Sequence, residues 1–227
     1  MTAGANVAEF AVVELRQYLL RPGRRNDLIT LFEREFIEPQ EALGMRLFGL
    51  FCDAARPDYF IWLRGFRDMD SRRGALERFY GGPVWQAHGN AANETMVDSD
   101  NVLLLRPAQP GSGFDPSVTE VPHPLSCLIF SYCTEAECNL QARHFLTQYR
   151  RQLAAQGAAI LAAFVTEPGA NTFPRLPVRE GEYVFAAFIS GIPFQKLSSL
   201  ASGASQITEL VPTSRSKLQL SRGEPSK

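Results

Sequence analysis

The chain of 227 residues lacks a long hydrophobic run, an excess of one charge and a recognisable targeting segment. Its longest uncharged apolar stretch covers residues 183–194 and is interrupted by Ser190, Gly191 and Pro193. It is therefore shorter than the roughly 18–20 residues that cross a membrane. The 23 basic and 24 acidic residues give a formal net charge of −1, whereas a nucleic-acid binder needs a basic face. No basic region followed by an apolar core opens the chain, so we expect a cytoplasmic protein that binds neither nucleic acid nor membrane.

The short motifs of metal, nucleotide and nucleophilic chemistry are also missing. The four cysteines form no CxxC pair, and the three histidines form no HExxH motif. The sequence has no GxSxG nucleophile motif. Its glycine-rich piece, GSGF at residues 111–114, follows no predicted strand and does not suit a phosphate site. We therefore expect no metal ion and no bound cofactor.

What the chain does contain is the composition of a globular protein, with 45% hydrophobic and 21% charged residues. Residues 106–124 hold five prolines and two glycines, which is typical of a linker. On either side lie roughly 105 residues, the size of one small domain. The sequence thus predicts an N-terminal unit at residues 1–108, a linker at 109–124 and a C-terminal unit at 125–227.

Hydrophobic periodicity predicts the order βαββαβ in both units. In the first unit we expect strand 12–20, a helix from Asn26 or Asp27, strands 45–52 and 58–66, helices 70–80 and 84–96, and strand 101–106. In the second unit we expect strand 125–133, helix 139–156, strands 158–166 and 182–190, helix 194–201 and a final strand near 218–220. Two pairs of segments align and support a repeat: VVELRQY with SCLIFSY, and FIWLRGF with YVFAAF.

A sheet covered by helices on one face alone leaves its other face bare. Exposed apolar surface costs about 25 cal/mol per Å², so two such sheets gain by packing face to face. The sequence therefore predicts an α+β fold in which two tandem ferredoxin-like βαββαβ units form an intramolecular, pseudo-dimeric α/β barrel. The space between the sheets is then the expected pocket.

Four segments of the first unit resemble the NIPSNAP family: VELRQYLLRPG (residues 13–23), WLRGF (62–66), FYGGPVWQAH (79–88) and AANETMVDSDNVLLLRP (91–107). The resemblance spans about residues 10–108. It implies the dimeric α/β-barrel superfamily, whose members include cofactor-free monooxygenases, isomerases, EthD-like proteins and haem-handling enzymes. It also implies a small-molecule ligand, with two pseudo-dimeric chains forming a homodimer as a further expectation.

Alternation along the first and third strands separates polar from apolar side chains. We assign to the barrel interior the polar and aromatic set Glu14, Arg16, Tyr18, Phe60, Trp62, Arg64 and Phe66. Enclosed charges are expensive unless they are paired or functional. One reading is a guanidinium fork that holds a carboxylate, enolate or phenolate oxygen, with Tyr18 as a hydrogen-bond donor. The other is a charge network that only satisfies a core.

Comparison of the two units favours the functional reading. The aligned partners of Glu14, Arg16, Trp62 and Arg64 are Leu128, Phe130, Val184 and Ala186, and Tyr18 aligns with Tyr132. If the fold itself required these charges, both units should carry them. The pattern therefore predicts a single polar pocket in the N-terminal unit.

Two residues of the helix after residue 83 are further candidates. Histidine is the side chain that titrates near neutral pH, so His88 is the leading acid/base candidate, although a structural hydrogen bond explains it as well. Trp85, together with Trp62, is expected to wall a planar ligand, although core packing explains the pair as well. Arg72, Arg73 and Arg78 are interpreted as a solvated helix face, and His144 as lying outside the barrel, which argues against haem ligation.

Two hypotheses of function follow. In the first, the protein is a metal- and nucleotide-independent enzyme acting on a small, partly aromatic or carbonyl-bearing metabolite. Arg16 and Arg64 stabilise an oxyanion, and Tyr18, Glu14 or His88 moves a proton, as in a monooxygenase, isomerase or cyclase-type reaction. In the second, it is a non-catalytic binding or scaffold protein with a structural polar network. The single polar copy favours the enzyme.

Overall fold

The computed structural model describes residues 10–201 and 203–221. The strands are β1 (Val12–Leu20), β2 (Arg46–Asp53), β3 (Tyr59–Phe66), β4 (Met96–Asp98), β5 (Val102–Pro107), β6 (Glu120–Val121), β7 (Leu125–Tyr132), β8 (Ala159–Thr166), β9 (Tyr183–Ser190), β10 (Gln206–Pro212) and β11 (Gln219–Leu220). The helices are α1 (Arg25–Glu35), α2 (Ile37–Ala42), α3 (Met69–Tyr80), α4 (Pro83–Asn93), α5 (Glu135–Ala154) and α6 (Phe194–Leu200). These elements confirm the mixed α+β class.

Eight strands close into an antiparallel barrel in the order β3-β2-β10-β7-β9-β8-β5-β1, with β1 pairing back to β3. Around the barrel the first half contributes β5-β1-β3-β2 and the second half β10-β7-β9-β8, which is the same arrangement twice. Two seams join the halves, β2 with β10 and β5 with β8. The predicted pair of ferredoxin-like units in one intramolecular barrel is confirmed.

Local sequence explains where the long helices begin. Asp68 accepts a hydrogen bond from the Ser71 backbone at the start of α3, and Thr134 accepts one from Glu137 at the start of α5. Both are preferred N-cap residues because their side-chain oxygens satisfy an unpaired backbone N–H. Pro83 occupies the first turn of α4, where its missing N–H costs nothing.

The barrel interior is predominantly apolar. Its strands contribute residues such as Val13, Leu15, Leu63, Phe164 and Phe188, which form one buried cluster spanning both halves. A hydrogen-bonded group adds polarity, because Gln206 donates to Gln17 at 2.6 Å and to Thr208 at 2.9 Å. Two further clusters lie outside the barrel, one between the first half's sheet and α1–α4, the other beneath α5 and α6.

The interior assignment of the polar set is therefore wrong. Tyr18, Phe60, Trp62 and Phe66 belong to the cluster under α1–α4, on the opposite face from Leu15 and Leu63. Glu14, Arg16 and Arg64 alternate with the same interior residues and share that outer face. Both faces of β1 are buried in a barrel covered by helices, so alternation separates the faces without identifying which is inside.

Two details of the second half also differ from expectation. The strand that completes it is β10, whereas residues 219–220 pair in parallel with β6 in a separate two-stranded sheet. In addition, strand pairing aligns Arg64 with Ala187, because Arg64 lies opposite Glu14 and Ala187 lies opposite Leu128. The alignment with Ala186, anchored on the aromatic ends of the two segments, was one residue out of register.

Candidate functional site

The candidate site lies between the outer face of the first half's sheet and helices α1–α4. It is centred on Glu14, whose side chain is completely buried. Its Oε2 accepts hydrogen bonds from Arg16 Nη1 at 2.7 Å and Arg64 Nε at 2.8 Å. Its Oε1 accepts one from Arg72 Nε at 2.7 Å. We call Glu14 and these three arginines the arginine cluster.

Neighbouring side chains accept hydrogen bonds from other nitrogens of the three guanidinium groups. Arg16 Nε donates to the Tyr18 hydroxyl at 2.8 Å, and Arg64 Nη1 donates to Gln40 Oε1 of α2 at 2.9 Å. Arg72 Nη1 donates to Asn171 Oδ1 at 3.0 Å and to Thr172 Oγ1 at 3.3 Å. The last two residues lie in the β8–β9 connection, so the second half of the chain supplies part of this site.

The arginine cluster carries two more positive charges than negative ones. Glu14 is the only ion-pair partner of its three arginines among the described residues, and all four side chains are completely buried. Each arginine also retains a buried Nη2 for which residues 10–201 and 203–221 provide no hydrogen-bond acceptor. Buried donors without partners and unbalanced buried charge are both costly, so this arrangement is suited to receive an anion.

Ionisation at the cluster is set by burial and by its own charges. Burial alone would raise the pKa of Glu14, but Arg64, Arg16 and Arg72 together hold it well below its usual range. Burial lowers the pKa of Arg72, and the neighbouring Arg64 and Arg16 lower it further against the opposing effect of Glu14. Burial raises the pKa of Tyr18 to about 12, although Arg16 opposes the change. Tyr18 is therefore a neutral hydroxyl at neutral pH.

A small cavity with aromatic walls adjoins the cluster. It is lined by Tyr18, Leu28, Phe32, Phe36, Gln40, Trp62, Phe79, Tyr80, Trp85 and Met96. Its volume of about 20 Å³ is room for about one water molecule. Trp62 contributes a face to both Arg16 and Arg64, whose guanidinium carbons lie 5.5 and 5.0 Å from the ring centre. Such contacts stabilise buried cations.

The structure brings most of the predicted residues together. Tyr18, Trp62 and Trp85 line the cavity, and the charged candidates form the cluster beside it. Phe60 packs on Phe32 at 5.6 Å, and Phe66 lies 5.6 Å from the guanidinium of Arg64, so both belong to the surrounding core. His88 is placed elsewhere, partly exposed on α4 with its Nε2 3.4 Å from Glu35 Oε2.

Sequence reasoning missed the third arginine and its partners. Arg72 is completely buried, which contradicts its interpretation as part of a solvated face. A signal was available, because Arg72 falls on the buried stripe of α3 with Ala75, Leu76, Phe79 and Tyr80, at helical spacing. Gln40 and the distant Asn171 and Thr172 offered no comparable pattern.

The second half keeps the architecture of the site without its charges. By strand pairing, the positions equivalent to Glu14, Arg16, Trp62 and Arg64 hold Leu128, Phe130, Phe185 and Ala187. All four pack in the apolar cluster under α5 and α6. The position equivalent to Tyr18 also holds a tyrosine, Tyr132, and burial raises the pKa of Tyr132 to about 12 as well. The N-terminal half therefore holds the polar copy.

Two further observations on the described part of the chain concern a metal site and a membrane-spanning helix. Within it, no group of three or more His, Cys, Asp or Glu side chains is arranged to hold a metal ion. None of its helices combines the length and the apolar character that crossing a membrane requires.

Comparison with known proteins finds a family similar to the first half of the chain and structures similar to the fold of the whole. The sequence profile of the NIPSNAP family matches residues 13–110. A candidate monooxygenase from Lactobacillus acidophilus has a similar structure, with 13% identity, a TM-score of 0.55, and coverage of 90% of this chain and 94% of that one. A candidate monooxygenase from Fusobacterium nucleatum has 7% identity and a TM-score of 0.53, over 89% and 92% of the two chains. Likeness at these identities establishes the barrel fold alone.

A NIPSNAP family protein from Agrobacterium tumefaciens is also similar, with 25% identity and a TM-score of 0.42, over 46% of this chain and 90% of that chain. Comparison with curated protein sequences found no significant match.

Proposed function

We propose, starting from the match of residues 13–110 to the sequence profile of the NIPSNAP family, that the protein binds a small, partly aromatic or carbonyl-bearing metabolite between its first sheet and helices α1–α4. The observation that carries the proposal is the arginine cluster, with its excess positive charge and its three unpartnered Nη2 groups. A ligand oxygen would supply the missing acceptor. The aromatic walls of the adjoining cavity would take the apolar body of the ligand.

We assign the reaction to the class in which negative charge develops on a substrate oxygen. Isomerisation, cyclisation and cofactor-free oxygenation of an acidic carbonyl compound or phenol can each proceed through its enolate or phenolate, and a substrate that binds already ionised has given its proton to water beforehand. Arg16 and Arg64 would stabilise that oxyanion, because fixed donors in a water-free site act strongly on developing charge. Tyr18 accepts a hydrogen bond from Arg16 through its oxygen, so its own proton is free to be donated to the ligand.

Glu14 and His88 fit less well as proton carriers. The low pKa of Glu14, together with its three hydrogen bonds, keeps it ionised and fixed, so its role in this proposal is to position the arginines. His88 contacts Glu35 at the surface of α4 and would act only after that helix moves. Tyr18 is therefore the proton donor that the geometry favours.

Ligand entry requires the cavity to open. Its present volume of about 20 Å³ excludes an aromatic molecule. Among the aromatic walls Trp85 is the one most able to move, because it alone of them is only partly buried and α4 packs on α1 and α3 rather than within the barrel. Its ring lies 4.6 Å from that of Tyr80 and 5.7 Å from that of Phe36. Outward movement of Trp85 would connect the arginine cluster to solvent.

A second candidate function is a non-catalytic binding or scaffold role in which the cluster is structural. It is favoured by one observation, the complete hydrogen bonding of Glu14 by three arginines in a closed interior. The cytoplasmic location and a homodimer of these chains stay predictions from the sequence.

Isosteric variants separate the two functions. The wild-type protein is examined by native mass spectrometry for co-purifying small molecules, and by thermal unfolding in the presence of benzoate and acetophenone. Tyr18→Phe removes one hydroxyl from the site, and Tyr132→Phe, at the equivalent position of the second half, is the matched control. We expect ligand stabilisation to fall in Tyr18→Phe alone. A folded wild-type protein that binds neither probe, binds neither phthalate nor phenyl phosphate, and carries no small molecule would contradict the proposed function and favour the structural role.

A further inference from the structure

Resting on the proposed function, we propose that the ligand of the N-terminal site is an aromatic dianion, a planar molecule bearing two negatively charged oxygen groups. The class includes aromatic dicarboxylates and aryl phosphates, and an aromatic keto acid once its enolate has formed. Three features of the site lead to this class: its charge, the number and position of its free donors, and the rings beside them.

The charge of the arginine cluster sets the charge of the ligand. Arg16, Arg64 and Arg72 face one carboxylate, which leaves an excess of two positive charges on side chains that are completely buried. A monoanion would leave one guanidinium without a counter-charge in a low-dielectric interior, where uncompensated charge is expensive. Two negative charges bring the site to neutrality.

The free donors are distributed around Glu14 rather than along one edge. Arg16 comes from β1, Arg64 from β3 and Arg72 from α3, and each retains an unpartnered Nη2. Bidentate pairing of a carboxylate with one guanidinium needs two free donors on the same fork, whereas the Nε and Nη1 of each arginine are already engaged. Three single donors on three different elements therefore suit a ligand whose acceptor oxygens are spread over two acidic groups, or one phosphate with three acceptor oxygens.

The β8–β9 connection fixes the third arginine and closes the aromatic wall. Asn171 and Thr172 accept hydrogen bonds from Arg72 Nη1, and Thr172 Oγ1 also donates to the Met69 carbonyl at 3.3 Å. The ring of Phe173 stacks on that of Tyr80, with 5.8 Å between centres and 25° between planes. Tyr80 in turn lines the cavity. The second half of the chain thus completes a site whose charges lie in the first.

The inference is tested with benzene derivatives that differ in their negative charge, together with inorganic phosphate. Thermal unfolding of the wild-type protein is measured at pH 7.5 with benzamide, benzoate, phthalate, isophthalate, phenyl phosphate and inorganic phosphate. We expect at least one aromatic dianion to bind about tenfold or more tightly than benzoate, which corresponds to one additional charge-assisted hydrogen bond. Inorganic phosphate should bind more weakly than phenyl phosphate because it leaves the aromatic walls empty.

Two variants on neighbouring residues supply the matched control. Arg72→Gln lowers the charge of the site by one, whereas Arg73→Gln makes the same change on the exposed side of α3, where the Arg73 side chain pairs only loosely with Asp70 at 3.4 Å. The preference for dianion over benzoate should fall in Arg72→Gln and persist in Arg73→Gln. Asn171→Ala removes one of the two acceptors of Arg72 Nη1 without removing a charge. It serves if Arg72→Gln does not fold, and it should weaken binding of the dianion more than binding of benzoate.

The outcomes distinguish this inference from the proposed function. If benzoate or benzamide binds as tightly as every dianion, the dianion class is wrong while the site itself stands. Equal affinity for inorganic and phenyl phosphate would also overturn it, because the aromatic part of the ligand would then contribute nothing. If no probe binds the folded wild-type protein, the proposed function fails as well.

Discussion

Replacing Glu14 by glutamine removes the one negative charge that three buried arginines share. The substitution keeps the shape of the side chain and leaves one carbonyl oxygen as an acceptor. Removing one partner of a buried ion pair costs about 3–5 kcal/mol, because the other charge stays buried without compensation. We therefore expect Glu14→Gln to lower the free energy of unfolding at pH 7 by about 3–5 kcal/mol.

The same substitution makes a prediction about pH. The pKa of Glu14 in the folded protein lies far below the value of about 4.3 expected in the unfolded chain. Above pH 4.3 both states are ionised and the stabilisation is complete. As the pH falls below that value, the unfolded chain takes up a proton that the folded chain does not. The advantage of wild type over Glu14→Gln should then shrink by about 1.4 kcal/mol per pH unit between about pH 4 and 2.

Urea unfolding of both proteins at pH 7, 4, 3 and 2.5 measures the two effects. Glu38→Gln is the control, because Glu38 forms an exposed ion pair with Arg215 and its loss should change stability little. A difference below about 1 kcal/mol between wild type and Glu14→Gln at pH 7, or one that stays constant down to pH 2.5, would refute our account of the cluster.

Three further predictions concern side chains of different burial. Tyr18→Phe should cost about 1.5–3 kcal/mol in urea unfolding, the value of a hydrogen bond to a charged group, because Arg16 Nε loses its acceptor; an unchanged midpoint would exclude that bond. Trp62→Ala should cost about 3–5 kcal/mol and Trp85→Ala clearly less, because Trp62 is 2% exposed and Trp85 only partly buried; equal losses would contradict the role of Trp85 as the movable wall. Cys133 should react with a thiol reagent in the native protein, whereas Cys127, inside the barrel with a pKa raised by burial, should react only on unfolding.

The architecture was predictable because it depends on hydrophobic alternation and on a repeated order of elements, both of which are visible in the sequence. Alternation gave β1 its observed bounds, Val12–Leu20, and the repeated order of elements predicted a barrel closed within one chain. The final strand was misplaced because the segment near residues 218–220 and the true strand β10 are both short and mixed in polarity. Strand propensity is weak in such segments, and pairing with β2 and β7 determines which segment completes the second half of the barrel.

The residues of the candidate site were easier to single out than the face on which they lie. The loss of charge from the second copy drew attention to Glu14, Arg16 and Arg64, and the structure brings these three side chains together. Their face could not be read from β1 or β3, since both sides of these strands are buried. Asn171 and Thr172 reach the site from about 100 residues away in sequence, through a contact that exists only once the two halves close on each other.

The most direct test of the central claim is a crystal structure of the protein with 4-bromophthalate, located by the anomalous signal of bromine. Our account predicts a bromine peak between the first half's sheet and helices α1–α4, close to Trp62 and Tyr80, with the carboxylates on the arginine cluster. A peak inside the barrel among Leu15, Leu63 and Phe188, or only on the protein surface, would contradict it.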